Sequence, residues 1–157
     1  MFYGCSSLTN LEQNFRVENV ENFAGMFRGC SSLISLNLNN CKTESMTNAN
    51  ALFYGCTNLA NLNVANFDTS KLDNMEYMFY KCQSLTSLDL SSFETNRVKN
   101  MEFMFNSCTG LIYLDVIKFN TTNCESFIAI FTGVSKDLEI IINETLNEEF
   151  MKKIKRN

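Results

Sequence analysis

Apolar residues fall at fixed intervals along the chain. Phe2, Phe27, Phe53, Phe79, Phe105 and Phe131 are 25, 26, 26, 26 and 26 residues apart. Three residues after each come Cys5, Cys30, Cys56, Cys82, Cys108 and Val134. Three further on stand Leu8, Leu33, Leu59, Leu85 and Leu111, then Leu11, Leu36, Leu62, Leu88 and Leu114. Leu38, Val64, Leu90 and Val116 follow, then Cys41, Phe67, Phe93 and Phe119. The unit reads M-F-x-x-C-x-x-L-x-x-L-x-[LV]-x-x-F-x-T-x-x-[VLM]-x-N-M-x-x. A period of 26 lies in the ~20–29 range of leucine-rich repeats, and L-x-x-L-x-L is their strand signature. Of the 14 phenylalanines, only Phe103 and Phe150 fall outside the repeat's apolar columns, so the pattern is systematic.

Each unit predicts one helix and one strand. Met101, Met104, Phe105 and Cys108 are spaced i, i+3, i+4, i+7, one face of an α-helix, and the same spacing recurs in every unit. Asn22, Asn48, Asn74, Asn100 and Ser126 precede these runs and are preferred N-cap types. Gly4, Gly29, Gly55 and Gly133 stand just before the Cys column, where glycine suits a turn out of a helix. Lys81 and Ser107 are the exceptions. In Leu88-Asp89-Leu90 the leucines face one way and the aspartate the other. Stacked units then place one strand each in a parallel sheet at ~4.8 Å spacing, with a helix behind each strand. The expected fold class is therefore α/β, a leucine-rich-repeat solenoid with a parallel sheet on one face and short helices on the other.

Residues 1–134 read as the repeat array of five to six coils and residues 135–157 as a C-terminal cap. The cap reads as a strand over Leu138–Ile142 and a short helix, with Thr145 and Glu148 at capping-box spacing and Leu146, Phe150 and Ile154 recurring every four residues. Met1-Phe2 aligns with Met26-Phe27 and Met78-Phe79, so the chain opens in the middle of a unit and reads as a fragment of a longer protein. The 157 residues carry 13 Lys/Arg and 17 Asp/Glu, a net charge of −4. Residues 1–150 hold 9 Lys/Arg and all 17 acids, a net −8, and Lys152, Lys153, Lys155 and Arg156 supply +4. An acidic body argues against nucleic acid. The basic tail suits a helix C-terminus, with a weak targeting or membrane-surface signal as the alternative. No apolar run reaches the ~18–20 residues of a transmembrane helix.

The sequence has no histidine, no proline and no tryptophan. That excludes Ser/His/Asp and Cys/His catalysis and histidine-based zinc sites. Seven cysteines contain no CxxC pair, and five share one apolar column. They read as small core hydrophobes. Disulfides between coils and metal or catalytic use are the alternatives. Asp89 and Asp115 lie in neighbouring coils, but an open sheet offers no pocket that would make them an acid/base pair. No D-x-[DN]-x-[DN]-G calcium loop is present. Asn120-Thr-Thr122 and Asn143-Glu-Thr145 match the N-glycosylation pattern in a chain rich in asparagine. No cofactor is expected.

The strand's outward columns form the candidate partner-binding face: Ser35, Asn37, Asn61, Asn63, Ser87, Asp89, Tyr113, Asp115 and Ile117. It is polar and mildly acidic, with an apolar corner at Tyr113 and Ile117. Tyr54, Tyr77 and Tyr80, on the other side, are the alternative. Residues 78–93 and 100–108, with Asn-Met-x-x-Met-Phe, Cys, L-x-x-L-x-L and F-x-T in order, resemble the BspA-like leucine-rich repeat surface proteins. The resemblance covers about residues 1–134. It implies a right-handed α/β solenoid of secreted or surface-anchored proteins that bind host or matrix proteins, without catalytic residues. The expected function is thus a non-enzymatic interaction or adhesion module at the cell surface, with a protein partner. A cytoplasmic scaffold, a structural spacer and an appendage of a larger enzyme are the alternatives.

Overall fold

The computed structural model describes residues 1–11, 17–143, 146 and 148–154. Strands β1 (Ser35–Asn37), β2 (Asn61–Asn63), β3 (Ser87–Asp89), β4 (Tyr113–Asp115) and β5 (Glu139–Ile141) come first in chain order, and helix α1 (Glu148–Ile154) follows. Pairing is parallel throughout, with each residue opposite the one 26 positions later: Ser35 with Asn61, Leu88 with Leu114, Asp115 with Ile141. The strands form two sheets, β1-β2 and β3-β4-β5. The fold is thus built on parallel strands, with α1 the one helix among the described residues.

The inward columns pack as the periodicity predicts. Phe27, Phe53, Phe79, Phe105 and Phe131 are at most 1% exposed. With Phe2 they form one continuous pile of near-parallel rings, centroids 5.3–5.7 Å apart. Offset stacking adds to the burial of each ring. Helix α1 closes the pile: Phe150, wholly buried, meets Phe127 and Phe131 edge-on at 5.4 and 5.7 Å. The predicted strand at Leu138–Ile142 contains β5, and Phe150 and Ile154 lie on α1 as their spacing predicts. Phe15, Thr145, Lys155 and Arg156 lie outside the described residues.

The helices predicted on the second face are corrected by the structure. Residues 23–30 and their counterparts are successive turns. Alternate amides bond within the unit, Met26 N–H to Phe23 O and Arg28 N–H to Gly25 O, at 3.0–3.1 Å. The amides between them bond to the next unit: Gly25 N–H to Asn50 O, Phe27 N–H to Leu52 O, Gly29 N–H to Tyr54 O. Left-handed residues every four positions forbid a helix here. They are Gly25 and Gly29 in one unit, and Tyr77 (φ 56°) and Lys81 (φ 59°) two units on. A turn every four residues repeats its apolar positions at i, i+3, i+4, i+7, so the spacing alone could not separate it from a helix. Lys81 and Ser107, the two non-glycine members of the glycine column, are left-handed like the glycines.

Candidate functional site

The nine candidate residues lie together on the strand face. Ser35, Asn37, Asn61, Asn63, Ser87, Asp89 and Ile117 are exposed; Tyr113 and Asp115 are half-buried. Alternation puts Leu36, Leu88 and Leu114 inward at 0–2% exposure and the candidates outward. Register then stacks the outward residues into columns, Ser35 opposite Asn61 and Ser87 opposite Tyr113.

The columns differ in what they are free to do. In the second column the side chain holds the backbone. Asn37 Oδ1 accepts from Asn39 N–H, Asn63 Oδ1 from Ala65 N–H, Asp89 Oδ1 from Ser91 N–H and Asp115 Oδ1 from Ile117 N–H, at 2.9–3.2 Å. These are Asx turns that end each strand. They give Asn37, Asn63, Asp89 and Asp115 a structural task that the sequence reading missed, and they fix each side chain's rotamer. Asn22, Asn48, Asn74 and Asn100 act likewise on the other face, accepting from the amide two residues on. They cap a turn where a helix was expected. In the first column, Ser35, Asn61, Ser87 and Tyr113 make no side-chain hydrogen bond to another described residue. Their side chains are uncommitted among the described residues.

A third polar column was also missed. Thr43, Thr69, Thr95 and Thr121 are at most 2% exposed. Thr69 Oγ1 donates to Glu94 O and accepts from Glu94 N–H; Thr95 does the same with Asn120, at 2.8 Å both ways. The Thr43 hydroxyl bonds Asp68 in the same way, so these three hydroxyls staple their units to the next. The F-x-T of the repeat was its signal: a polar residue recurring between apolar columns must have a buried partner.

The cysteine column is core, apart from the exposed Cys5. Cys56, Cys82 and Cys108 are buried free thiols, each donating S–H to a phenylalanine carbonyl in the preceding unit at 3.0–3.2 Å. Burial pushes the Cys56 and Cys108 thiols up to about 12 and Cys124 to about 11. A thiol so held is a poor nucleophile and a poor metal ligand. On the turn side, Tyr54, Tyr77 and Tyr80 cluster with ring centroids 4.7–6.1 Å apart. Arg28 lies 4.3 Å from the Tyr54 ring centroid, and Phe103 stacks on Tyr77 at 4.9 Å. These rings are therefore largely engaged with one another. Among the described residues, no helix is long and apolar enough to cross a membrane.

Residues 1–61 and 29–143 match the family described as Mycoplasma protein of unknown function, DUF285, and the chain belongs to that family. No curated protein and no solved structure matches the chain.

Proposed function

We propose that this member of the DUF285 family is a non-enzymatic protein-binding module that engages its partner through the strand face. In this reading residues 1–134 are a right-handed leucine-rich-repeat solenoid of the BspA-like kind and residues 135–157 its cap. The module works at a cell surface or in a secreted protein. The observation that carries the reading is the division of labour between the two outward columns. Asn37, Asn63, Asp89 and Asp115 hold the strand ends rigid. Ser35, Asn61, Ser87 and Tyr113 present uncommitted groups from adjacent coils. A rigid frame carrying free polar groups loses little entropy on binding. Tyr113 and the 43%-exposed Ile117 supply an apolar anchor of the type that dominates interface energetics. Extended sheet surfaces are what stacked repeats offer to partners. The test is binding of the immobilised chain to purified matrix and plasma proteins, repeated with Tyr113→Arg and Ser87→Arg. Saturable binding that both variants weaken supports the reading. No binding, or binding that both variants retain, overturns it.

A further inference from the structure

Among the described strands the ladder is interrupted between β2 and β3. Between β1 and β2, Leu38 N–H donates to Asn63 O at 2.8 Å. Between β3 and β4, Leu90 N–H donates to Asp115 O, and between β4 and β5, Val116 N–H donates to Ile141 O, both at 2.9 Å. At the β2/β3 junction the equivalent donor, Val64 N–H, makes no such bond, and the two strands do not pair. Elsewhere the same two coils remain tied. Ala51 N–H reaches Glu76 O and Phe53 N–H reaches Met78 O at 2.8–2.9 Å, and Thr69 staples to Glu94. The coils therefore part on the strand side alone.

Two features lie beside this junction. Leu62 is only partly buried, although its counterparts in β1, β3 and β4 are fully buried. A groove of about 350 Å³ lies over β1 and β2, lined by Ser35, Leu36, Asn37, Asn61, Leu62 and Asn63, and its far wall is the β3 side at Thr86 and Ser87. Its walls carry hydroxyls and amides, with no charged side chain among the lining residues, so nothing in it neutralises an ionic ligand. Its volume sits at the low end of the ~300–1,000 Å³ typical of ligand sites, which suits a short segment. Main-chain N–H and C=O groups on a strand edge demand partners. An uncharged ligand with donors and acceptors at strand spacing is an extended polypeptide backbone.

We infer that this groove receives a short, uncharged, extended segment of the partner protein, whose main chain bonds to the open edge of β2. The coils part further on the strand side, pivoting on their bonded turn side, to admit it. The Asn61 amide contacts the segment, and Leu62 gives one of its side chains an apolar floor. This inference rests on the binding-module reading and narrows it to one junction.

A random-peptide phage library panned on the intact chain supplies the probe. The best peptide is measured by calorimetry against the chain and against an Asn61→Cys/Ser87→Cys variant, whose disulfide closes the groove when oxidised and releases it when reduced. The expected result is binding to the reduced form and at least about tenfold weaker binding to the oxidised form. N-methylation of alternate peptide amides is expected to weaken binding as much. Equal affinity for both redox forms, or for the N-methylated peptide, overturns the inference. Loss with Tyr113→Arg but not with the closed groove overturns it and leaves the strand-face reading standing. A library that yields no binder, or binders indifferent to both perturbations, overturns both.

Discussion

Replacing Thr95 by valine removes one hydroxyl and nearly keeps the side chain's shape. That hydroxyl makes two bonds to the next repeat unit, donating to Asn120 O and accepting from Asn120 N–H, both at 2.8 Å. Thr95 is 1% exposed, so water cannot replace it from its own side. A buried group left unpaired costs about 1–3 kcal/mol. Asn120 is half-buried, which places each loss near the lower end, and the pair together at about 2–3 kcal/mol. Thr95→Ser keeps the hydroxyl and loses one methyl group, worth about 1 kcal/mol. Urea unfolding followed by circular dichroism separates the two. Against a typical total stability of about 5–15 kcal/mol, the valine variant is plainly weakened and the serine variant only mildly. A valine variant within about 0.5 kcal/mol of the parent, or a serine variant as weak as the valine one, would refute the stapling argument.

Three further outcomes follow from the same packing. Phe79→Ala, which removes a fully buried ring stacked on both sides, costs about 4–5 kcal/mol, whereas Phe2→Ala, at a half-buried ring at the end of the described pile, costs under about 2; equal losses in thermal or urea unfolding would contradict the ring pile. A Cβ at Gly55 would meet only Gly29 Cα, at an unstrained 4.0 Å, but Gly55→Ala must hold φ near 70°, so it costs about 1–2 kcal/mol, and a neutral result would show that the turn relaxes. The native protein exposes Cys5 to thiol reagents, while Cys56, Cys82 and Cys108 react only on unfolding. Because the folded thiols of Cys56 and Cys108 titrate near 12 and the unfolded ones near 9, burial stabilises the fold fully below about pH 9, and that contribution drains away as pH rises toward 12. Rapid native labelling of those thiols, or stability that climbs over that alkaline range, would count against a buried column.

Much of this architecture was legible because the repeat samples each position five or six times. The pile of Phe27, Phe53 and Phe79, the inward leucines of β1, β3 and β4, and the outward polar columns all follow from spacing. Phe150 closing the pile follows from the four-residue recurrence near the C-terminus. The turn side was misread because a turn every four residues repeats its apolar positions as a helix does. The distinguishing fact is backbone sign, and Tyr77, Phe103 and Lys81 conceal it, since nothing in their chemistry favours a left-handed residue. The β2/β3 opening was invisible for another reason. Units 26 residues apart look alike in sequence, and the break is a difference between junctions, not a property of a unit. The division between structural Asn and Asp and free Ser and Tyr is likewise a matter of hydrogen-bond partners, which composition cannot supply.

The decisive comparison sets one face against the other. Tyr113→Arg changes the strand face, and Tyr77→Arg changes the turn face at a ring that is also half-buried. With both variants folded to the parent's circular dichroism spectrum, affinity for one matrix or plasma protein that binds the parent chain is measured for all three. The account predicts at least about tenfold weaker binding for Tyr113→Arg and less than about twofold change for Tyr77→Arg. The reverse order would place the partner on the turn face and contradict the account.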